Sequence, residues 1–180
     1  MSLLFYKVQQ CFTMLIFEFM LNGKIIFWVL LFGFATMQSF GQVKVLQGKV
    51  VKVIDGDTFD LLTNEDVLFR VRMAHIDAPE KKQDFGSVSK KFLLEKIVFK
   101  VVSVSFSTRD RNGRILGTVF YKNRNINLQM VEEGMAWHFT KFSSDENYAN
   151  AQKSAQTKKL GIWSKSVVIS PWEFRKSRKK

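Results

Sequence analysis

Cysteine is nearly absent from this chain. Cys11 is the only one in 180 residues, so no disulfide can close within the chain and no cysteine cluster can hold a metal. Imidazole is scarce as well, with His75 and His138 the only histidines. Acids are outnumbered: 16 Asp and Glu stand against 28 Lys and Arg, a formal net charge of +12. Such an excess favours a polyanionic partner, either nucleic acid or an anionic membrane surface, and bears on partners rather than on fold. Solubility alone is the plainer explanation. No internal repeat or low-complexity segment interrupts the chain. Its length suits one domain plus a targeting segment.

Residues 1–41 form that segment. Lys24 precedes a thirteen-residue run, Ile25 to Met37, that is apolar apart from Gly33 and Thr36. Small and polar residues follow, Gln38-Ser39-Phe40-Gly41. A basic residue, a short apolar run and a small-residue exit describe a secretory signal peptide, with cleavage expected after Gly41. Met20 heads a better-proportioned signal than Met1. The run is short of the roughly 20 residues that span a membrane. An uncleaved anchor, helped by Met14-Leu15-Ile16-Phe17, is the rival reading. The expected location is therefore secreted or periplasmic, with membrane attachment only if residues 1–41 remain. Cleavage leaves 139 residues with a net charge of about +11 and no cysteine.

From Gln42 the pattern predicts strands over Val43–Ile54, Thr58–Leu62 and Val67–Met73, with Asn64-Glu65-Asp66 as a hairpin turn. Alternation puts Phe69, Val71 and Met73 on one face of the third strand, and Leu68, Arg70 and Arg72 on the other. Pro79 ends this phase. Ser87–Ile97 reads as an amphipathic helix with Val88, Phe92, Leu93 and Leu94 inward. Strands follow at Val98–Phe106 and Ile115–Tyr121, joined by a polar turn with Asn112-Gly113 at its tip. A helix over Asn125–Glu133 stops at Gly134. A last one, capped by Asp145, runs to Lys159 or Leu160 before Gly161. Five strands with helices of this size match an OB-type barrel.

Chemistry concentrates between Val53 and Glu80. Asp55, Asp57, Asp77 and Glu80 follow apolar, β-branched runs, so they stand where strands end. Like charges so close imply a bound cation or a protonated member. All-oxygen ligands favour Ca²⁺ or Mg²⁺ over zinc. The plain alternative is that these are turn and cap residues. Arginine shifts the balance. Arg72 lies between the acidic clusters and Arg114 follows the Asn112-Gly113 turn. Guanidinium with a metal stabilises the charge that phosphodiester hydrolysis places on phosphate oxygens. Glu80 is placed to act as general base or to position water. Arg109, Arg111 and Lys141 read as solvated.

Val53-Ile54-Asp55-Gly56-Asp57-Thr58, Val71 through Glu80, and Asp110-Arg111-Asn112-Gly113-Arg114 resemble the staphylococcal nuclease (thermonuclease) family. So do Gly134-Met135-Ala136-Trp137, Gly161-Ile162-Trp163 and Pro171-Trp172-Glu173-Phe174-Arg175. The resemblance spans about Leu46 to Lys176. It implies an α+β fold, mainly a five-stranded OB-fold barrel with three helices, over residues 42–174, leaving 175–180 as a basic tail. It implies Ca²⁺-dependent endonuclease activity on DNA and RNA, with attack on phosphorus leaving a 3′-phosphate and a 5′-hydroxyl. Asp57, Asp77 and the backbone carbonyl of Ala78 would bind Ca²⁺, with Asp55 behind them. Glu80 would match the proposed general base, and Arg72 and Arg114 the phosphate-binding arginines. Phe139 and Phe142 stand where relatives often place tyrosines. They are candidates for stacking on bases, or else pack under the last helix. The Trp residues at 137, 163 and 172 read as packing. A monomer without an obligate protein partner is expected. The competing function is an OB-fold module that grips nucleic acid without cutting it.

Overall fold

The computed structural model describes residues 43–178. The expected signal peptide, and Lys179 and Lys180 of the expected tail, lie outside that range.

Three antiparallel strands open the fold: β1 (Lys44–Val53), β2 (Thr58–Leu62) and β3 (Leu68–Met73). The short β4 (Ile76–Asp77) and helix α1 (Gly86–Ile97) come next. They lead to β5 (Val101–Arg109), β6 (Ile115–Tyr121) and β7 (Arg124–Asn125). The first half of β1 pairs with β5 and its second half with β2. A register shift between Val50 and Lys52 bends the strand across that change of partner. β5 and β6 are antiparallel, and β6 then meets β3 in parallel, Val71 opposite Ile115 and Arg72 opposite Leu116. That last pairing closes a five-stranded OB-type barrel. Its inside holds Val50, Phe59, Leu61, Val71, Val102, Val104, Ile115 and Val119, each at most 1% exposed. Burying a side chain of this size contributes about 1.5–3 kcal/mol.

Helix α2 (Ile126–Glu132), strand β8 (Trp137–His138), helix α3 (Glu146–Thr157), a 3₁₀ turn (Gly161–Ser164) and helix α4 (Pro171–Ser177) complete the described chain. The side chains of Asn125 and Asp145 cap α2 and α3. α3 stops at Thr157 because Lys159 and Gly161 turn left-handed. The described residues thus carry four α-helices where three were expected. The fourth begins with Ser170 and Glu173 in a capping box and Pro171 in the first turn. None of the described helices is long and apolar enough to cross a membrane.

Two further differences have physical causes. The expected strand start at Val98 is a turn instead, with Phe99 left-handed and its N–H on the Val50 carbonyl at 2.9 Å. The strand then continues through a bulge to Arg109. Helix α1 is rotated from the expected face: Gly86, Ser89, Leu93 and Ile97 are buried, while Val88 and Leu94 are exposed. Close approach explains the rotation. A Cβ on Gly86 would stand 2.0 Å from the Glu80 carbonyl oxygen, and one on Gly56 would stand 2.1 Å from Ser89 Oγ. The helix is seated through these two glycines on the loops that carry the acids. Gly86→Ala is expected to lower the unfolding free energy by about 1–3 kcal/mol, measured by denaturant titration.

Candidate active site

Asp55 and Asp57 occupy the β1–β2 turn, where Asp55 Oδ1 accepts the Asp57 N–H at 3.1 Å. Asp57 turns inward. Its Oδ2 accepts the Ala78 N–H at 2.7 Å and its Oδ1 accepts the Thr58 hydroxyl at 3.0 Å. The residue pair at 77 and 78 is thereby fastened to the first acidic cluster. Asp77 lies on β4, opposite Trp137 of β8, and is 1% exposed. Arg72, near the end of β3, reaches between the two aspartates. Its Nη2 donates to Asp77 Oδ1 at 2.8 Å, and its Nη1 is ion-paired with Asp57 Oδ2 without hydrogen-bond alignment. Burial pulls the Arg72 guanidinium below its usual basicity; Asp77 and Asp55 oppose this, while Arg114 and Arg175 reinforce it. Arg70, its neighbour on the same face, is spent on Asp60 across the β2–β3 pair, at 2.8 Å.

A third arginine enters from the end of the chain. Arg175 of α4 donates to Asp77 through Nη2 at 2.7 Å and Nη1 at 3.2 Å, and to Glu80 Oε1 through Nη1 at 2.6 Å. The hydrogen bond to Asp77, chiefly, raises its basicity further against burial. Glu80 is held in addition through its N–H, which donates to Gln83 Oε1 at 3.1 Å. Residue 175 is therefore part of a folded helix and of this cleft, not of a free tail beginning after Phe174.

Arg114 lines the same cleft. It immediately precedes β6, two residues before the one that pairs with Arg72, so barrel closure carries it there. Asp110 holds it: Nη2 and Nε each lie 2.7 Å from Asp110 Oδ2, and its N–H donates to Oδ1 at 3.0 Å. Against the burial that would raise it, these bonds keep the Asp110 carboxyl below the usual range. The guanidinium is thus aimed without touching the acids of the first cluster. Phe139 and Phe142 also line this open cleft of about 1000 Å³. Phe139 stacks on Trp172 at 5.6 Å and Phe142 meets Phe139 edge-on at 4.9 Å, leaving Phe142 largely exposed. Trp137 packs edge-on against Trp163 at 4.3 Å and Trp172 at 5.5 Å, which docks α4 on β8.

For a metal, the expected donors Asp57, Asp77 and the Ala78 carbonyl suit a hard divalent cation in kind, being all oxygen. The Ala78 N–H bond fastens residue 78 beside the Asp57 carboxylate. Among the described residues, however, no three His, Cys, Asp or Glu side chains converge as a ready-made metal group. Arginine takes up the carboxylate oxygens instead, Arg175 engaging both oxygens of Asp77.

The profile of the family described as Staphylococcal nuclease homologue matches residues 70–165. A Haemophilus influenzae protein named an uncharacterized endonuclease is 41% identical over 160 residues, 89% of each chain. The chain belongs to the staphylococcal nuclease family. A Shigella flexneri protein named micrococcal nuclease is 38% identical over 144 residues, 74% of this chain and 82% of its own. An Escherichia coli protein, also named an uncharacterized endonuclease, is 38% identical over 131 residues, 72% of this chain and 85% of its own. The family profile spans Arg72, Asp77, Ala78, Glu80 and Arg114 but stops short of Arg175.

Sequence reasoning missed Arg175, the Asp110 clamp and Asn127. Ser170 and Glu173, three apart around Pro171, are a helix-start signature that would have found α4. Asn127 is fully buried. It donates to the carbonyls of Ala74 and Gly117 at 2.9 and 3.1 Å and accepts the Val119 N–H at 3.0 Å, tying the β3–β4 turn to β6. Nothing in its sequence neighbourhood marks that role.

Behind β4, Ser143 Oγ bridges His75 Nδ1 at 2.9 Å and His138 Nε2 at 3.1 Å. His138 is buried with Nδ1 unpartnered, and burial, with His75 nearby, lowers its pKa from the usual 6.5. The unfolded chain therefore takes up this proton more readily than the native one. The stabilising contribution is present above the unfolded pKa and is lost as pH falls through the folded pKa. Thermal melts are expected to fall between about pH 7.5 and 5, and less steeply in His138→Gln.

Proposed function

We propose that this protein is a Ca²⁺-dependent endonuclease that hydrolyses DNA and RNA and leaves 3′-phosphate and 5′-hydroxyl ends. Endonuclease function rests on family membership. The observation that carries the reading is the convergence of Arg72, Arg114, Asp77 and Glu80 on one cleft. Phosphate recognition falls to guanidinium. Arg72 is buried between its acids and Arg114 is aimed by Asp110, so both are oriented before substrate arrives. Asp57, Asp77 and the Ala78 carbonyl would hold the cation, which supplies polarisation of a phosphate oxygen when bound. Glu80 accepts the proton of an attacking water aligned opposite the departing 5′ oxygen. Arg72 and Arg114 offset the charge gathering on the other phosphate oxygens. Phe142, exposed at the cleft, offers a ring face to a base.

Secretion or periplasmic residence is proposed from the pattern of residues 1–41, with cleavage after Gly41; the mass of the exported protein tests it. The arginines on Asp77 are the observation that favours the second reading, a module that binds nucleic acid without cutting it.

Digestion of plasmid and RNA with Ca²⁺, then with chelator, decides between the two. Wild type is expected to cut only with Ca²⁺, and Glu80→Gln to fall by about two to four orders of magnitude. Binding without cutting in Ca²⁺ would leave the module. Arg114→Ala is expected to lose about two to three orders of magnitude in cutting with nearly unchanged calorimetric Ca²⁺ affinity. Near-normal cutting would remove Arg114 from the site.

A further inference from the structure

Arg175 stands on the two carboxylates that matter most to the reading above. One guanidinium lies fork-on against both oxygens of Asp77, and the same Nη1 reaches Glu80 at 2.6 Å. Asp77 is almost wholly buried and already carries Arg72 on Oδ1. Its Oδ2, bonded to Arg175 at 2.7 Å, is the oxygen that a cation would otherwise find free. A positive group at hydrogen-bond distance from a ligand oxygen both fills its lone pairs and repels an incoming cation. We propose that Arg175 is a tethered cation of the catalytic site: it holds Asp77 and Glu80 together and must leave Asp77 for a divalent cation to bind. This rests on the reading of Asp57 and Asp77 as cation ligands.

The helix that carries Arg175 is anchored by contacts of its own that do not involve that side chain. Pro171 is buried, the Ser170–Glu173 capping box closes the first turn, and Trp172 packs on Trp137 and Phe139. Gln83 Nε2 ties the segment before the helix to the Glu80 loop through the Ile169 carbonyl at 2.6 Å. The Arg175 side chain, by contrast, is 41% exposed and has solvent to swing into. The exchange therefore needs only a rotamer change, with α4 remaining docked. It also frees the Glu80 carboxylate from its arginine in the same movement, so cation entry and release of the base are coupled.

Calorimetric titration of metal-stripped protein with CaCl₂ tests this on wild type, Arg175→Ala and Arg175→Gln. The glutamine variant keeps a hydrogen-bond donor but loses the charge and the guanidinium's reach. Both variants are expected to bind Ca²⁺ roughly tenfold or more tightly than wild type. In thermal melts both should unfold at lower temperature than wild type without Ca²⁺, and gain more from its addition. Equal or weaker Ca²⁺ affinity in the variants, with wild type binding normally, would overturn the role of Arg175 alone. Absence of binding in all three folded proteins would overturn the cation site itself and this inference with it.

Discussion

A charge almost out of reach of water organises this molecule. Asp77 is 1% exposed, and an ionised carboxylate at that depth is tolerable only with cationic partners and hydrogen bonds around it. Each partner comes from a different part of the chain. Arg72 arrives on β3, Arg175 on α4, and the short β4–β8 pair holds the backbone beneath. Folding the barrel, docking the last helix and building the site are in this sense one event, because each element brings in a group that the buried acid requires.

Barrel closure does a second service. The β3–β6 pairing is the only parallel contact among the described strands, and it places the start of β6 beside the end of β3. Arg114 and Arg72, more than forty residues apart in sequence, thereby face the same cleft. Arg114 is near enough to disfavour the charge on Arg72, which Asp77 and Asp55 relieve. Asn127 braces the same corner from behind with three hydrogen bonds. Glycines at 56 and 86 let α1 press on the acidic loops with no side chain between. The site is thus preorganised by strand pairing and close backbone approach as well as by its own ion pairs.

Much of this was legible beforehand. Periodicity located β3 and β6 closely, since strands buried on one face alternate visibly, while β2 is buried along nearly its whole length. Asp145 marked one helix start through chemistry confined to a few residues, and the structure adds Asn125 as the cap of another. The acids and arginines of Val53 to Glu80 raised the expectation of phosphate chemistry because residue type limits what a side chain can do. Less accessible were the facing of α1, which the close approaches of Gly56 and Gly86 decided over the apolar pattern, and the turn at Phe99, which a backbone bond to Val50 decided.

The sequence by itself determined the kinds of group available: hard oxygen ligands, guanidinium for phosphate, no thiol and little imidazole. It also determined the barrel's strands and the family, because alternation, caps and motif spacing are local properties. Only the tertiary structure decided which charges meet. Arg70 and Arg72 share one strand face, yet one is spent on Asp60 and the other divides Asp57 from Asp77. Arg175, apparently one of several cations in a basic tail, proves to sit on the most buried acid of the site. Pairing between charges distant in sequence depends on how strands close and helices dock, and no spacing along the chain encodes that.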